Sequence, residues 1–324
     1  MKKVLLLILL LGYCIVTSGQ DAEYSQFYAN PLYLNPGFTG TSSQTRLVMN
    51  YRNQWPQKGN TFVNYSVSFD RYSSKLSGGF GFQIQNNVES NGLVETSSAY
   101  GFYAHHIKID DRFFMDAGLQ AGIVYKKLDY GNLIFPDMID QITGETTSIS
   151  LEQPENESLV YPDFGLGALG QYDAFFFGIS LMHLSQPDES IFVGDQKGKR
   201  PMRLTIHAGS RTHRLHRGLL SKEFTLSPNI IYQQQGSFKQ INFGMYMLEK
   251  SLAGGIWYRQ NLGIQPDAVM IMLGVMRKSF KIGYSFDYTL SKLANYSTGS
   301  HEISLSLFLG KTTHDRKALM IPSL

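Results

Sequence analysis

The run FVNYSVSFD, Phe62 to Asp70, alternates without a break: Val63, Tyr65, Val67 and Phe69 share one face, and Asn64, Ser66, Ser68 and Asp70 share the other. A period of two residues is that of a β-strand, whose successive side chains point to opposite faces and whose pleated surface suits β-branched and aromatic residues. The pattern recurs along the chain. Phe80, Phe82 and Ile84 alternate with Gly79, Gly81, Gln83 and Gln85; near the end, Phe280, Ile282, Tyr284, Phe286 and Tyr288 alternate with Lys281, Gly283, Ser285 and Asp287. Strands are predicted over Thr45–Tyr51, Phe62–Asp70, Ser77–Gln85, Ser97–Ile107, Met115–Lys127, Phe164–Gln171, Ala174–Leu184 and Leu204–Arg211. The series continues with Glu223–Tyr232, Lys239–Met247, Ala253–Gln260, Ala268–Met276, Phe280–Tyr288 and Glu302–Leu309.

One apolar and one polar face fit two architectures. In a soluble sandwich the apolar face packs inward; in a membrane barrel it meets lipid and the small or polar face lines the lumen. The connections separate the two. Asp110-Asp111, Gln171-Tyr172-Asp173 and Arg277-Lys278-Ser279 are tight even-numbered connections, whereas Asn86 to Thr96, Leu128 to Pro162, Ser185 to Arg203 and Thr289 to His301 are long odd-numbered ones. Short turns at one end and long loops at the other are the habit of outer-membrane barrels, as is an even number of roughly nine-residue strands. The Arg211 to Lys222 turn is long for its end, and Gln233 to Phe238 is short for its own. The expected fold is all-β: an outer-membrane antiparallel β-barrel of about 14 strands with an extended N-terminal segment.

Composition agrees. The chain of 324 residues carries 19 Tyr, 21 Phe and 31 Gly but one Cys, and its formal net charge of +3 comes without a dense Lys/Arg stripe, so nucleic-acid binding has no electrostatic support. Lys2 and Lys3, the apolar run Val4 to Val16 and the small residues Thr17-Ser18-Gly19 have the layout of a secretory signal peptide over 1–19, with cleavage expected after Gly19. Cys14 lies inside it, and bulky Tyr13 before it argues against a lipoprotein site, so the mature chain is expected to hold neither thiol nor disulfide. Residues 20–44 form the extended segment, periplasmic or luminal, 45–310 the barrel and 311–324 a C-terminal tail. Both termini are expected on the periplasmic side of the outer membrane of a diderm bacterium.

The stretch Asp21 to Pro56 is neither helix nor ordinary loop. Asn30-Pro31 and Asn35-Pro36 push the residues before proline out of the α region and remove backbone donors. Tyr24, Phe27, Tyr28, Tyr33 and Phe38 nevertheless demand burial. The segment Tyr24 to Phe38 is therefore expected inside the lumen or across its periplasmic mouth, either as a plug or as a partner-binding element carried by Tyr24, Phe27, Tyr28, Asn30, Pro31, Tyr33, Asn35, Pro36 and Phe38. If the apolar faces meet lipid, Arg46, Arg52 and Arg259 enter the lumen with Asp70, Asp116, Asp287 and Glu302. Mixed signs point to internal ion pairs rather than a charge-selective pore.

No catalytic pattern accompanies these features. His105-His106 lie on one strand and point to opposite faces, which prevents simple two-ligand metal binding. His301-Glu302 lacks a second histidine at helical spacing, and no nucleophile elbow places a serine triad. Gly78-Gly79-Phe80-Gly81 lies in a strand pattern, where glycine serves curvature or luminal space rather than phosphate binding. The acidic stretch Leu128 to Pro162 lacks an EF-hand pattern and reads as a solvated loop, and the basic turn Arg211 to Arg217 as a solvated turn, with an acidic partner or lipid headgroups as the alternative. No enzyme activity, cofactor or metal is expected.

The blocks SQFYANPLYLNPGFTGT and RLVMNYRNQWP at the start, LSPNIIYQQQG in the middle, and IGYSFDYTLSKL with GSHEISLSLFLG at the end resemble the PorP/SprF family of type IX secretion system membrane proteins. The resemblance implies a non-enzymatic outer-membrane barrel serving secretion or surface attachment of very large adhesins, including those used in gliding. Its implied partners are the C-terminal region of such an adhesin, a periplasmic lipoprotein or other secretion components, and outer-membrane lipid. The alternative is a passive porin-like channel for small solutes.

Overall fold

The structure, a computed structural model, describes residues 20–56, 62–140, 143–144, 146, 157–190, 198–210, 215–217, 222–263, 266–291 and 299–310. The expected signal peptide and C-terminal tail lie outside these residues, as does part of the acidic stretch, including Glu145, Glu152 and Glu155.

Strands β1 (Thr45–Gln54), β2 (Phe62–Ser73), β3 (Gly78–Glu89), β4 (Val94–Lys108), β5 (Phe113–Leu128), β6 (Ser158–Tyr172), β7 (Phe175–Met182) and β8 (Arg203–Ser210) each pair antiparallel with the next. A three-residue strand, β9 (Leu215–Arg217), pairs with the start of β10 (Lys222–Gln235), which also pairs with β8. Strands β11 (Phe238–Glu249), β12 (Leu252–Asn261), β13 (Pro266–Met276), β14 (Phe280–Thr289) and β15 (Ser300–Leu309) complete the circuit, and β15 closes it on β1 from Thr45↔Leu309 to Gln54↔Ser300. Apart from short β9, the result is a closed 14-strand antiparallel barrel. Closure pairs every strand on both sides and leaves no sheet edge, the condition for crossing lipid with strands.

Burial settles which face is which. On β2, Ser66 and Ser68 are 2% exposed while Val67 between them is 45% exposed; on β3, Gln83 is 1% exposed and Ile84 53%. Apolar outside and polar inside is the reverse of a sandwich, and it matches a barrel whose outer belt meets lipid tails.

Two expectations change. The Asn86 to Thr96 connection is no long loop: β3 and β4 run on to a tight turn at Ser90–Gly92; β10 and β11 meet at a turn around Gly236, in keeping with the short Gln233 to Phe238 connection. Strands that rise past the lipid have water on both sides, so polar residues such as Asn86, Glu95 and Ser97 stand at outward positions where alternation would need an apolar residue, and the period fades before the strand ends. For the same reason β6 starts at Ser158, inside the stretch expected as loop.

Residues 20–44 do not wait beside the start of β1. Asp21 meets His183, which follows β7, Arg203, which opens β8, and Gln235, which ends β10, all at the end of the long loops. Gly40 meets Asp70 and Gly79 at the opposite, short-turn end, where β1 begins. The segment therefore crosses the lumen from one mouth to the other. Gln20 lies at the long-loop end and Gly310, after β15, at the short-turn end. The expectation left open the lumen or its periplasmic mouth; fully extended, the segment could reach roughly 80 Å, far beyond a bilayer core of about 30 Å, so a full crossing is within its length.

Candidate functional site

The two Asn-Pro pairs shape the luminal path. Pro31 and Pro36 each occupy the first turn of a short helix, Pro31–Leu34 and the 3-10 turn Pro36–Phe38, where a missing N–H leaves nothing unsatisfied. Asn35 between them is extended, and its side chain caps the second turn by accepting from the Gly37 N–H at 2.8 Å. Both asparagines then hold the wall. Asn30 donates to Ser66 Oγ at 3.1 Å and accepts from Gln83 Nε2 at 2.8 Å; Asn35 Nδ2 donates to the carbonyls of Ala168 and Ile179, each at 3.1 Å.

The lumen offers two kinds of wall. On the side of β6, β7 and β10 to β13 it is aromatic and aliphatic. Phe27 packs on Trp257 with ring centroids 5.1 Å apart, Tyr28 stands edge-on to Phe176 at 5.6 Å, and Phe38 stacks on His207 at 5.4 Å. Leu34, Leu169, Ile231, Tyr246 and Met270 fill the same cluster. On the side of β1, β2, β14 and β15 the wall is polar. Arg52 pairs with Asp287 at 2.9 Å and Glu302 at 3.3 Å, and Ser25 bridges them, its N–H donating to Glu302 at 2.6 Å and its hydroxyl to Asp287 at 2.5 Å. Arg259 reaches Asp287 at 3.5 Å and Glu23 at 3.2 Å.

Tyr24, Phe27, Tyr28, Asn30, Pro31, Asn35, Pro36 and Phe38 are buried and Tyr33 is half-buried. Arg52, Asp70, Asp116, Arg259, Asp287 and Glu302 are buried inside, but they do not form one network. Arg46 and Asp70 make a separate pair at 2.8 Å near the short-turn end, where Asp70 also accepts from the Gly40 N–H at 2.8 Å. Asp116 pairs with His106 at 2.5 Å, while His105 points outward, so the two histidines do face apart.

Glycines bring wall and segment into backbone contact. A Cβ on Gly118 of β5 would stand 2.3 Å from the carbonyl carbon of Pro36. Gly40, at φ +72°, and Gly79 lie so close that a Cβ on Gly40 would sit 2.4 Å from the Gly79 Cα. Within the glycine-rich run of β3, Gly79 is thus the position that admits the segment.

The residues around Asp21 have no forerunner in the sequence pattern. Asp21 pairs with Arg200 at 2.6 Å, His183 at 2.7 Å and Arg203 at 2.8 Å. Arg203 also lies over the Tyr33 ring, 4.3 Å from its centroid, and donates to the Tyr33 hydroxyl, which bonds in turn to the Ala22 carbonyl. Burial opposes ionisation of Asp21, but Arg200, His183 and Arg203 hold its carboxyl well below the usual range. Burial likewise works against the His183 imidazolium, and Asp21 and Asp163 hold it above its ordinary value. Partners 162 and 179 residues apart share no period or motif that could have paired them. Among the described residues no group of three His, Cys, Asp or Glu side chains is placed to hold a metal.

A closed barrel with an apolar exterior and a polar interior defines an outer-membrane β-barrel protein, here one whose lumen holds its own N-terminal segment. The family of type IX secretion system membrane proteins PorP/SprF matches residues 16–307, and the chain belongs to that family. Among solved structures, the outer membrane protein Omp33 of Acinetobacter baumannii is similar at 8% identity and a TM-score of 0.42, over 84% of this chain and 100% of that one. The KdgM porin is similar at 9% identity and a TM-score of 0.36, over 81% of this chain and 99% of its own. No curated protein matches the chain.

Proposed function

We propose that this protein acts without catalysis in the type IX secretion system, supporting secretion or surface attachment of large adhesins, including gliding adhesins. In this reading the long-loop mouth faces outward and receives an adhesin's C-terminal region, the short-turn end faces the periplasm and docks a lipoprotein or other machine component, and the apolar belt sits in outer-membrane lipid. The observation that carries it is the lumen itself. Residues 20–44 run through it from mouth to mouth, matched to both walls by hydrogen bonds from Ser25, Asn30 and Asn35 and by packing of Phe27, Tyr28 and Phe38. A passive channel for small solutes has no use for a segment fitted in this way, whereas a machine that holds a polypeptide in its barrel does.

The test is loss of the protein from its own cell. A specific large adhesin should remain inside the cell while solute uptake is unchanged. Normal adhesin display with altered permeability would overturn the reading. Replacing Asn30, Pro31, Asn35 and Pro36 together then asks whether the segment recognises cargo. Lost display from a folded barrel assigns it recognition, and retained display leaves it a plug.

A further inference from the structure

Asp21 is held as a bound ligand is held. Arg200 donates to its Oδ1 from Nη2 at 2.6 Å and from Nε at 3.1 Å, and Gln235 Nε2 donates to the same oxygen at 2.9 Å. Its Oδ2 faces His183 Nε2 at 2.7 Å and Arg203 Nη1 at 2.8 Å. The backbone N–H of Asp21 returns a bond to Gln235 Oε1 at 2.9 Å, so one glutamine reads both the carboxylate and the amide of a single residue. Charge-assisted contacts that satisfy both carboxylate oxygens, here with two N–H groups of one arginine converging on Oδ1 and a second arginine on Oδ2, are the ones proteins use to select carboxylates.

The balance of charge in the cradle calls for an anion. Without Asp21, the cations His183, Arg200 and Arg203 would face, among the described residues, Asp163, 2.8 Å from His183, Glu189, 3.2 Å from Arg200 and already paired with Lys126 at 2.7 Å, and the more distant Glu89, which leaves the cations in excess. An excess of positive charge on side chains this deeply buried is costly unless an anion fills the place. There is no room for a second carboxylate beside Asp21, because the cavities on either side measure about 30 and 10 Å³, on the order of one or two water molecules. Occupation by Asp21 and by an outside carboxylate therefore exclude each other. Asp21 lies at the long-loop mouth, ahead of Ser25 and the residues after it, which have their own ties to the wall.

We propose that this cradle is a receptor site for a peptide carboxylate, kept closed in cis by Asp21, and that a carboxylate-bearing peptide entering the long-loop mouth displaces it. The ligand offers a carboxylate and a nearby backbone N–H for Gln235. An acidic side chain on a peptide and the C-terminal carboxylate of a chain both meet that description. Displacement frees the start of the luminal segment and couples the arrival of a peptide to opening of the lumen. The proposal deepens the reading of the segment as a recognition element. Its test reads the purified barrel rather than adhesin display, so either can fail alone.

Ala22 reports the release. In the whole chain with Cys14→Ser and Ala22→Cys, purified in detergent, the new thiol is the only one, and its rate of maleimide labelling measures how often the end of the segment leaves the cradle. N-acetylaspartate N-methylamide supplies a side-chain carboxylate, acetyl-triglycine a C-terminal one, and acetyl-triglycine amide neither. Saturating acid should speed labelling at least about tenfold, with no effect from the amide or from sodium chloride at equal ionic strength; the acid that acts identifies the source. Asp21→Asn in the same background should label as fast without any acid. Equal effects of acid and amide, an effect of salt as large as that of acid, or slow labelling of a folded Asp21→Asn barrel would overturn the proposal. The acid titration leaves Asp21 intact, so it decides even where that variant does not fold.

Discussion

The charges around Ser25 and those around Asp21 hold the same segment a few residues apart, yet differ in who supplies them. Around Ser25 the wall carries ions of both signs, Arg52 on β1, Arg259 on β12, Asp287 on β14 and Glu302 on β15, with the segment adding a serine hydroxyl, two N–H groups and the Glu23 carboxylate, 3.2 Å from Arg259. Around Asp21 the wall supplies the cations and the segment the carboxylate they meet. The first cluster joins strands to one another and can keep its balance with the segment withdrawn. The second is balanced only while the segment is in place. A barrel built this way remains a barrel when its lumen empties, but it registers that emptying at one mouth.

The largest effect that separates the two is expected from Arg52→Ala. It leaves Glu302 buried without its arginine and Asp287 with Arg259 alone, at 3.5 Å, a change that costs about 3–5 kcal/mol. The temperature at which the folded band is lost on a detergent gel should fall steeply. Asp21→Ala should lower it less, since His183 and Arg200 keep Asp163 and Glu189 as partners and no strand-to-strand ion pair is broken. A larger loss for Asp21→Ala than for Arg52→Ala would reverse the comparison.

Next comes a change that moves the segment without touching either cluster. In Gly118→Val the new Cβ meets the Pro36 carbonyl carbon, which is backbone and cannot turn aside. The wall is held by pairing with β4 and β6, so the segment gives way. Protease added to the folded barrel should cut within residues 20–44, whereas the parent is protected. Overpacking of this kind costs about 1–3 kcal/mol, and an uncut segment would mean the lumen has slack that the close contact denies.

How much of this was legible in the sequence follows from the range of each signal. Alternation in Phe62–Asp70 is local, so it showed which side chains share a face, and with loop lengths it chose lipid for the apolar one. The luminal charges followed from the same parity. Strand ends were misjudged where the period fades above the lipid, as at Asn86 to Thr96. Burial of Tyr24 to Phe38 could be argued from aromatic content, but their direction could not, because nothing local decides whether an extended chain crosses a lumen or stays at its rim. The Asp21 cradle was beyond reach altogether: its partners are brought together only by closure of the ring.

Acidity acts on the Asp21 cluster from both sides. The Asp21 carboxyl is held well below its ordinary value, so its contribution is fully present above about pH 4 and is lost as the pH falls through its lowered value. His183 is held above its ordinary value, so its contribution is fully present below about pH 6.5 and is lost as the pH rises through its raised value. Asp163, Arg200 and Arg203 face the same pair. The latch should therefore be tightest between those limits, and labelling at Ala22→Cys, compared with a free thiol at each pH, should be slowest there. His183→Gln should abolish the alkaline rise and leave the acid one.

The smallest effect is also the most local. The Tyr33 hydroxyl accepts from Arg203 and donates to the Ala22 carbonyl, tying the segment's first residues to its own middle, while the Tyr33 ring lies under the same guanidinium. Tyr33→Phe removes the hydroxyl and keeps the ring, so packing on Tyr24 and the cation–π contact both survive. The loss is about 1 kcal/mol, too little to change barrel stability on a gel and enough to speed labelling at Ala22→Cys about fivefold. Tyr33→Ala removes the ring as well and should speed it further. If Tyr33→Phe shifts the barrel's unfolding temperature as much as it shifts labelling, the mouth of the lumen and its wall form one cooperative unit, and the division drawn between the two clusters fails.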